Sequence, residues 1–532
     1  MDSRTALWLC IHLPALPLEV FERGGEDGAT PAMAVGGAGP RAEVLVCNQA
    51  ARGHGIGPGM AAGDARARVA PEGGLRVFQR DERAEGQALL GIAAWAMQFT
   101  PEVSLAPPDD VLLEVQGSLG LFGGPEALAR RVREGMGKLG FRPVLGLGPT
   151  PLLATFLARG GGTVPATTTE DTGHPRGVPL HARGGGTAPV IATETPAAAL
   201  GPLPLEVLGL SGRERGLLEG LGIATVGGLL RLPRAGLARR LGPALVSLLD
   251  RALGRAPDPR PRFEPPARFE TRLDLPEEVH TLDALLFAAR RMLFELHGFL
   301  AARRRGVRRL TWWLAHAHDQ DTPIPPTAIP PTVIEMGLLA PSRDPEHLLA
   351  LVRERLNGLS LRAPVRALIM RTEAIAPLAE TPLGLWPLDR GSRGPEEGPV
   401  RLIERLRARL GEAAVAGLCA VADHRPERAW HPCPPAERTA APPVGGSARD
   451  PNRVLPLWLL NKPRPLSHRD GRPYLGGPLE AESGPERIES GWWDGQDIAR
   501  DYFIARDPHG ARFWIYRDLG DTSAWYLHGV FD

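Results

Sequence analysis

The chain has 532 residues, a formal net charge of +1 and 43% hydrophobic residues. This length exceeds what one hydrophobic core supports, so several domains are expected. The near-zero net charge excludes a global basic field, so any nucleic-acid affinity must come from local patches. No apolar run reaches the roughly 18 residues of a membrane span, and no leader pattern opens the chain, which predicts a cytoplasmic protein without a membrane partner.

The cysteines do not form a recognisable pattern. Cys10, Cys47, Cys419 and Cys433 include no CxxC pair. The spacing therefore indicates neither a zinc site nor a disulfide framework, and it fits a reducing compartment.

In the first third of the chain, short apolar runs alternate with segments whose apolar residues have helical spacing. This pattern predicts an α/β or α+β sheet domain. The segment 48–60 (NQAARGHGIGPGM) is expected to be a loop with tight turns. The predicted strands are 6–13, 42–47, 111–115 and 143–147, and the predicted helices are 83–97, 125–139 and 150–158.

The remainder changes character several times. Residues 160–200 indicate a connector, 204–254 are compactly helical and 257–266 are a proline-rich linker. Residues 268–375 predict a further domain with a helix near 279–303 and strands near 307–315 and 365–373. A helix is expected at 398–417, and the aromatic-rich tail, 453–532, is expected to be β-rich.

The loop at 48–60 carries the first family resemblance. Its pattern N-x-x-A-R-x-x-G-I-x-x-G-M resembles the fingers loop of the Y family of lesion-bypass DNA polymerases. In that family the arginine reaches the triphosphate of the incoming nucleotide, and Arg52 has this position here. A guanidinium suits the task because its planar fork can pair phosphate oxygens. The residues alone fit a glycine-rich turn equally well, and the length of the match favours the family.

The first predicted strand departs from that family. Y-family polymerases carry Asp-x-Asp here, whereas W-L-C-I-H-L-P puts His12 and Pro14 at those positions. Two-metal phosphoryl transfer needs carboxylate oxygens that bridge two Mg²⁺ ions. An imidazole cannot bridge them, and a proline side chain has no oxygen. The sequence therefore predicts no catalytic residues and no cofactor, with Mg²⁺ needed only if polymerase activity persists.

An acidic segment follows two prolines. P-P-D-D-V-L-L-E-V at 107–115 resembles the family's S-I-D-E-x-x-L-D-V, which makes Asp109, Asp110 and Glu114 possible remnants of the acidic site. The same residues also fit a solvated acidic turn before a strand. Both interpretations stay open at this point.

Two further segments, L-F-G-G (121–124) and G-L-G-P-T-P-L-L-A (146–154), resemble the ImuB-type branch of the family. Proteins of that branch come from bacterial mutasome operons and lack the acidic triad. The resemblance implies a multidomain α+β fold with the right-hand polymerase architecture. Its expected parts are a palm at 1–165 with fingers inserted at about 25–75, a connector and thumb at 166–258, a little finger at 263–378, a clamp-binding peptide and linker at 379–450, and a small C-terminal domain at 451–532.

The helical region resembles the family's thumb. Residues 203–254 have the cadence of a helix-hairpin-helix element, in which a glycine-rich turn offers backbone N–H groups to a DNA phosphate. An ordinary helical hairpin is the alternative. The glycines that would supply the turns are Gly209, Gly212, Gly220 and Gly222.

The region 268–375 resembles the little finger, the family's additional DNA-binding domain. It contains the densest basic cluster of the chain, which would give salt-dependent phosphate binding. A solvated basic helix end is the alternative. Arg290 and Arg291 precede the main members of the cluster, which are Arg303, Arg304, Arg305, Arg308 and Arg309.

The segment P-L-G-L-W at 382–386 resembles the peptide by which polymerases dock on the sliding clamp, with Leu383, Leu385 and Trp386 as anchors. The leading hypothesis is a non-catalytic adaptor that binds primer-template DNA and the clamp. The branch further implies an error-prone C-family polymerase and a RecA-like, ImuA-type protein as partners. The competing hypotheses are an active translesion polymerase with an unusual metal site and an unrelated DNA-repair adaptor with only a helix-hairpin-helix module.

Overall fold

The computed structural model divides the chain into two compact units, Met1–Arg409 and Leu410–Asp532. It describes residues 6–25, 29–69, 74–161, 190–191, 195–316, 329–361, 363–378, 397–435, 455–469, 471–520 and 523–531.

The N-terminal part of the first unit alternates strands and helices, as the apolar patterning predicts. In chain order it contains β1 (Trp8–His12), α1 (Leu16–Glu22), β2 (Ala32–Gly36), β3 (Glu43–Cys47), α2 (Gln49–Gly53), α3 (Ala62–Arg68), β4 (Arg76–Gln79), α4 (Glu82–Ala96), β5 (Val103–Ala106), β6 (Asp110–Glu114), α5 (Leu119–Phe122), α6 (Pro125–Leu139), β7 (Val144–Gly148), α7 (Pro151–Gly160) and β8 (Val190–Ile191).

A five-stranded sheet with the order β5-β6-β1-β7-β8 forms the centre of this part. Strand β1 is antiparallel to both of its neighbours, β6 and β7. Leu9, Cys10 and Ile11 are fully buried, because helices cover both faces of the strand. Helix α7 lies directly on the sheet: a Cβ added at Gly146 would come within 2.3 Å of the Ala154 carbonyl oxygen. This close contact sets the position of the side chains at the end of α7.

A smaller sheet, with the order β3-β2-β4, includes the segment expected to be the fingers. The expected loop at 48–60 contains the short helix α2, which the sequence analysis did not predict. Asn48 caps α2 by accepting a hydrogen bond from the Ala51 amide at 3.0 Å. An asparagine before a short apolar segment is a strong N-cap signal, so the helix could have been predicted.

The helical region follows. It contains α8 (Pro196–Leu200), α9 (Gly212–Gly220), α10 (Val226–Leu230), α11 (Arg234–Leu241) and α12 (Pro243–Ala252). These helices bury a leucine-rich core that also includes side chains of α7. Helix α7 therefore contacts the central sheet with one face and the helical region with another.

The last part of the first unit is a four-stranded antiparallel sheet with the order β11-β10-β12-β9. Its helix α13 packs against α4 and α6, so that this sheet and the central sheet share one hydrophobic core. The elements are β9 (Glu270–Val279), α13 (Leu282–Ala301), β10 (Arg305–His316), β11 (Thr332–Ser342), α14 (Pro345–Asn357), β12 (Val365–Pro377) and α15 (Glu397–Leu410).

The second unit is rich in β-structure, which confirms the expectation for the tail. A two-stranded sheet precedes a six-stranded sheet with the order β16-β15-β20-β19-β18-β17. The strands are β13 (Gly417–Ala420), β14 (Trp430–Cys433), β15 (Trp458–Arg469), β16 (Arg472–Tyr474), β17 (Glu480–Ser490), β18 (Ile498–Arg506), β19 (Arg512–Asp518) and β20 (Trp525–Val530). The α+β multidomain fold expected from the sequence is thus confirmed.

Two predictions about this region were wrong. The helix expected at 398–417 ends at Leu410, because Gly411 adopts a positive φ of 95° that terminates it. The prediction that the cysteines form no disulfide also fails, since Cys419 is bonded to Cys433. The antiparallel pairing of β13 with β14 brings the two thiols together, and their sequence spacing alone does not reveal that pairing. Cys10 and Cys47 are free and buried.

Within the described ranges, no helix combines the length and the apolar character that a bilayer crossing requires.

A buried carboxyl in α1 gives a testable pH dependence. Glu19 accepts a hydrogen bond from the Arg142 amide at 3.1 Å, and its Oε2 atom is buried without a partner. Burial raises the pKa of Glu19 to about 8. Between the pKa that Glu19 has in the unfolded chain and pH 8, Glu19 holds a proton in the folded chain and releases it on unfolding. The contribution of Glu19 to the free energy of unfolding therefore falls as the pH rises.

We expect the Glu19→Gln variant to be about as stable as the wild type at pH 5. At pH 8 it should be more stable by up to about 4 kcal/mol, because the amide needs no proton. Urea unfolding of both proteins at the two pH values measures the difference. Parallel stability profiles across this range would contradict the assignment.

Candidate functional site

The candidate site lies at the end of the first strand. Strand β1 pairs with β6 so that His12 stands opposite Asp110. The His12 Nδ1 atom lies 2.8 Å from Asp110 Oδ1 and 3.7 Å from Asp109 Oδ2. Asp110 is buried, with a side chain that is 1% exposed. The acidic segment therefore belongs to the site at the end of β1, which decides against the solvated turn for Asp110.

Sequence analysis missed the fourth member of this cluster. Arg159, in the last turn of α7, places its Nη2 atom 2.7 Å from Asp110 Oδ2 and 3.4 Å from Asp109 Oδ1. Its side chain is 31% exposed. The only available signal was its position on the helix that follows β7, because the contact spans 49 residues of sequence. We call His12, Asp109, Asp110 and Arg159 the strand-end cluster.

Both oxygens of Asp110 have partners in this cluster. Oδ1 is in contact with His12 Nδ1, and the Cys10 thiol donates to it at 3.6 Å, while Oδ2 accepts from Arg159. Burial, and then the charge of Asp110, raise the pKa of Asp109. Burial likewise raises the pKa of Cys10 well above its ordinary value, so its thiol stays protonated. A guanidinium and two hydrogen-bonding groups thus lie against the buried carboxyl group of Asp110.

The strand-end cluster does not fit a two-metal centre. His12, Asp109 and Asp110 can bring three ligand atoms within 4.8 Å of one another, which would suit one cation at most. A pair of Mg²⁺ ions needs bridging carboxylate oxygens, and both oxygens of Asp110 are already engaged. A guanidinium 2.7 Å from Asp110 Oδ2 also repels a divalent ion.

Two other candidates lie outside this cluster. Pro14 is an exposed turn residue after β1. Glu114 stands opposite Trp8 at the far end of β6, where its Oε1 atom accepts from the amides of Leu7 and Gln116. The structure therefore does not bring Glu114 to Asp109 and Asp110.

The fingers segment combines a structural and an exposed residue. The Asn48 side chain accepts from the Ala32 and Ala51 amides and donates to Glu22 and to the Thr30 carbonyl oxygen. Arg52, four residues later, is exposed on α2, and among the described residues it has no ion-pair partner. Its guanidinium is therefore available for an anionic ligand.

The glycines of the helical region lie on its surface. A Cβ at any of Gly209, Gly212, Gly220 and Gly222 would meet no atom within 4 Å. Gly209 and Gly222 have left-handed φ values of 68° and 74°, which glycine adopts readily. Their amides, however, donate to the carbonyl oxygens of Glu206 and Glu219 within the turns. At these two positions the open surface lets a ligand come close to the backbone. The N–H groups themselves already donate within the turns.

The arginine cluster divides into members that bind other groups of the protein and exposed members that have no ion pair among the described residues. Arg303 donates to the carbonyl oxygens of Phe299 and Pro266, and its guanidinium stacks on the Phe299 ring. Arg291 is likewise bonded to the Arg23 carbonyl oxygen, and Arg290 pairs with Glu346. Arg290 is exposed as well, and the exposed members without an ion pair within the described part of the chain are Arg304, Arg305, Arg308 and Arg309.

A register shift in β10 explains how neighbouring arginines both reach solvent. The pairing of β10 with β11 and β12 is irregular between Val307 and Arg309. Such a bulge interrupts the alternation of side chains along a strand. Arg308 and Arg309 are therefore both exposed, and we call the four exposed residues 304, 305, 308 and 309 the arginine patch. The proposed clamp-binding residues Leu383, Leu385 and Trp386 lie outside the described residues.

Comparison with known proteins shows what this chain is similar to. Residues 27–159 match the model of the impB/mucB/samB family. Over 501 residues, 90% of this chain and the full length of the relative, the sequence is 28% identical to Protein ImuB of Caulobacter vibrioides, in two strains. This chain is thus similar to the ImuB proteins over most of its length. The ImuB-type resemblance seen in the sequence motifs is thereby confirmed.

Solved structures of Y-family DNA polymerases are also similar to this chain. A Y-family DNA polymerase chimera is 16% identical, with 70% of this chain and 99% of the chimera covered and a TM-score of 0.38. DinB from Sulfolobus solfataricus is also 16% identical, with coverage of 69% and 98% and a TM-score of 0.37.

Proposed function

We propose that this protein is a non-catalytic, polymerase-like adaptor of a bacterial DNA-damage mutasome. It binds primer-template DNA and the sliding clamp, and it recruits an error-prone C-family polymerase for translesion synthesis. The observation that carries the proposal is the strand-end cluster, in which Arg159 and His12 contact the carboxylates that a polymerase would use for metal ions.

The chemistry of phosphoryl transfer supports the absence of catalysis. Nucleotide addition depends on two divalent cations that stabilise the attacking and leaving oxygens. In the strand-end cluster a guanidinium takes the place beside Asp110, and His12 offers one nitrogen instead of two carboxylate oxygens. The site can hold its own charge balance without metal, which is what an adaptor derived from a polymerase requires.

The DNA-binding part of the proposal rests on the arginine patch. Four exposed guanidinium groups without acidic partners in the described residues suit contacts with phosphates, which are independent of base sequence. The surface glycines Gly209, Gly212, Gly220 and Gly222 allow a phosphate backbone to come close to the helical region. Arg52 can add one further phosphate contact.

The partner assignments rest on the family resemblance and on one peptide. Leu383, Leu385 and Trp386 supply the apolar anchors that a clamp pocket accepts. The C-family polymerase and the RecA-like, ImuA-type protein are inferred from the ImuB-type resemblance. A clamp pull-down with Leu385→Ala and Trp386→Ala tests the peptide, and unchanged capture would remove it from the proposal.

A second candidate function is an active translesion polymerase with an atypical metal site. It is favoured by one observation: ligand atoms of His12, Asp109 and Asp110 lie within 4.8 Å of one another. Primer extension with Mg²⁺ and with Mn²⁺ separates the two functions. The adaptor predicts no extension above background, whereas extension that Asp109→Ala abolishes would establish the polymerase.

DNA binding gives a quantitative test of the adaptor. We expect the variant with Arg304, Arg305, Arg308 and Arg309 replaced by Gln to bind primer-template duplex more weakly. The slope of log affinity against log salt concentration should fall in magnitude by about 3.6 if all four contacts are lost, since each lost phosphate contact contributes about 0.9. Fluorescence anisotropy with a labelled duplex over a salt series measures the slope.

The matched control loses four exposed arginines of the first unit outside the patch, Arg353, Arg366, Arg405 and Arg409. It removes the same net charge and should change the slope by less than 1. Equal effects of the two variants would mean that only the overall charge matters, which would contradict a defined DNA surface.

A further inference from the structure

We propose that the β15–β16 edge of the six-stranded sheet in the second unit binds single-stranded DNA. This surface is independent of the strand-end cluster and of the arginine patch, both of which belong to the first unit. It consists of exposed cations on an open sheet edge, with one aromatic side chain at each end of the segment.

The cations of this edge have no acidic partners among the residues that the structure describes. Lys462, Arg464, Arg469 and Arg472 are exposed, and within the described residues none of them forms an ion pair. Asp470, between Arg469 and Arg472, is the one acidic residue of the sequence from 458 to 474, so that segment carries a net charge of +3.

The pairing of the hairpin concentrates this charge. Arg469 and Arg472 stand directly opposite each other in the β15–β16 ladder. Like charges in that relation destabilise a hairpin, so folding alone does not favour the arrangement. A bound polyanion would attract both guanidinium groups and so offset their mutual repulsion.

Most of the other described arginines of the second unit form ion pairs. Acidic side chains neutralise them in defined ion pairs, and the clearest case is Arg425, which is buried between Asp423 and Asp494. The other ion-paired arginines of this unit are Arg428, Arg487, Arg500, Arg506 and Arg512. Outside this edge, Arg517 of β19 is the one further exposed arginine of the described part of the second unit without an ion pair, so unpaired cations concentrate on β15 and β16.

The backbone of the edge disfavours a peptide partner. β16 pairs with β15 only from Ser467 to Arg469, which leaves the preceding part of β15 at the open edge of the sheet. Pro463 and Pro465 lie in that part, and prolines have no N–H group to offer to an added strand. Side chains, not backbone hydrogen bonds, are what this edge presents to a ligand.

The aromatic residues decide which polyanion fits. The Trp458 side chain, at the start of β15, is 72% exposed. At the other end the Arg469 guanidinium stacks on the Tyr474 ring at 4.8 Å. Exposed rings and stacked guanidinium planes bind unpaired bases, while the cations between them contact phosphates. Duplex DNA keeps its bases stacked internally and would leave Trp458 unused.

The first test compares two charge-matched variants of the full chain by fluorescence anisotropy with a labelled thymidine 20-mer. Lys462→Ala/Arg464→Ala/Arg472→Ala should lower the slope of log affinity against log salt by about 2, at about 0.7 per lost contact. The control, Arg487→Ala/Arg506→Ala/Arg512→Ala, removes three arginines of β17, β18 and β19 and should leave the slope unchanged. Trp458→Ala should weaken 20-mer binding severalfold without changing the slope.

The second test exploits the scarcity of lysine, since Lys138 and Lys462 are the two lysines of the chain. Amine acetylation followed by mass spectrometry should show Lys462 protected by the 20-mer, with exposed Lys138 as the internal reference. Equal acetylation of Lys462 with and without DNA would overturn the proposal, as would equal slopes for the two triple variants. Protection by a duplex at equal affinity, or by an acidic peptide alone, would also overturn it. None of these outcomes bears on the arginine patch, whose variant is measured on primer-template duplex.

Discussion

Replacing Arg159 with alanine is expected to lower the free energy of unfolding of the first unit by about 2 to 3 kcal/mol. Asp110, whose side chain is 1% exposed, would lose the guanidinium that contacts its Oδ2 atom. Removing one partner of a buried pair typically costs 3–5 kcal/mol, and we reduce that range because Arg159 is partly exposed. Urea unfolding in a buffer with a chelator measures the loss.

Divalent cations should raise the free energy of unfolding of Arg159→Ala and should leave that of the wild type unchanged. Without Arg159, Asp109 and Asp110 present free oxygens beside His12, which suits Mn²⁺. A concentration of one hundred times the dissociation constant would restore about 2.7 kcal/mol. Arg159→Lys, which keeps the positive charge, is the matched control and should remain insensitive. Stabilisation of the wild type by Mn²⁺ would show that the strand-end cluster is not closed to metal.

The second large effect concerns the ion pair between Arg23 and Glu295. Arg23 follows α1, and Glu295 lies in α13; their side chains are 8% and 9% exposed, and the Nη2 and Oε2 atoms are 3.1 Å apart. We expect Arg23→Met to cost about 3 to 5 kcal/mol, because it leaves a buried carboxylate whose remaining partner among the described residues is the Thr271 hydroxyl.

A double-mutant cycle separates the pair from its surroundings. Arg23→Met/Glu295→Met should lose less stability than either single variant, because no unpaired charge then remains in the core. The exposed pair Arg272–Asp274 is the control, and Arg272→Ala should cost less than about 1 kcal/mol. Hydrogen exchange should show α13 and β1 losing protection together in Arg23→Met. Separate loss would mean that the two sheets do not unfold as one unit.

Local patterning predicted much of the fold because its signals act over a few residues. The helix expected at 125–139 has those bounds in the structure, since Pro125 begins it and Gly140 ends it with a left-handed φ. The strand expected at 6–13 contains β1, whose apolar run is buried on both faces. The strand expected near 307–315 likewise lies within β10.

Long-range features could not be predicted in this way. The sequence placed His12 and Asp109 in one site only through the family resemblance, and it contained no indication of Arg159, which reaches the site from α7. The Cys419–Cys433 bond depends on the pairing of β13 with β14. The core that the central sheet shares with the β9–β12 sheet depends on the packing of α13, a tertiary contact without a sequence motif.

Asn48 has a structural role in the fingers segment. Its amide group holds together the Glu22 carboxylate, the Thr30 and Ala32 backbone and the first turn of α2. These hydrogen bonds stabilise the fold whether or not the chain adds nucleotides. Retention of the fingers signature in a genome is therefore no guide to whether its bearer copies DNA, and the residues at the end of the first strand are the ones to inspect.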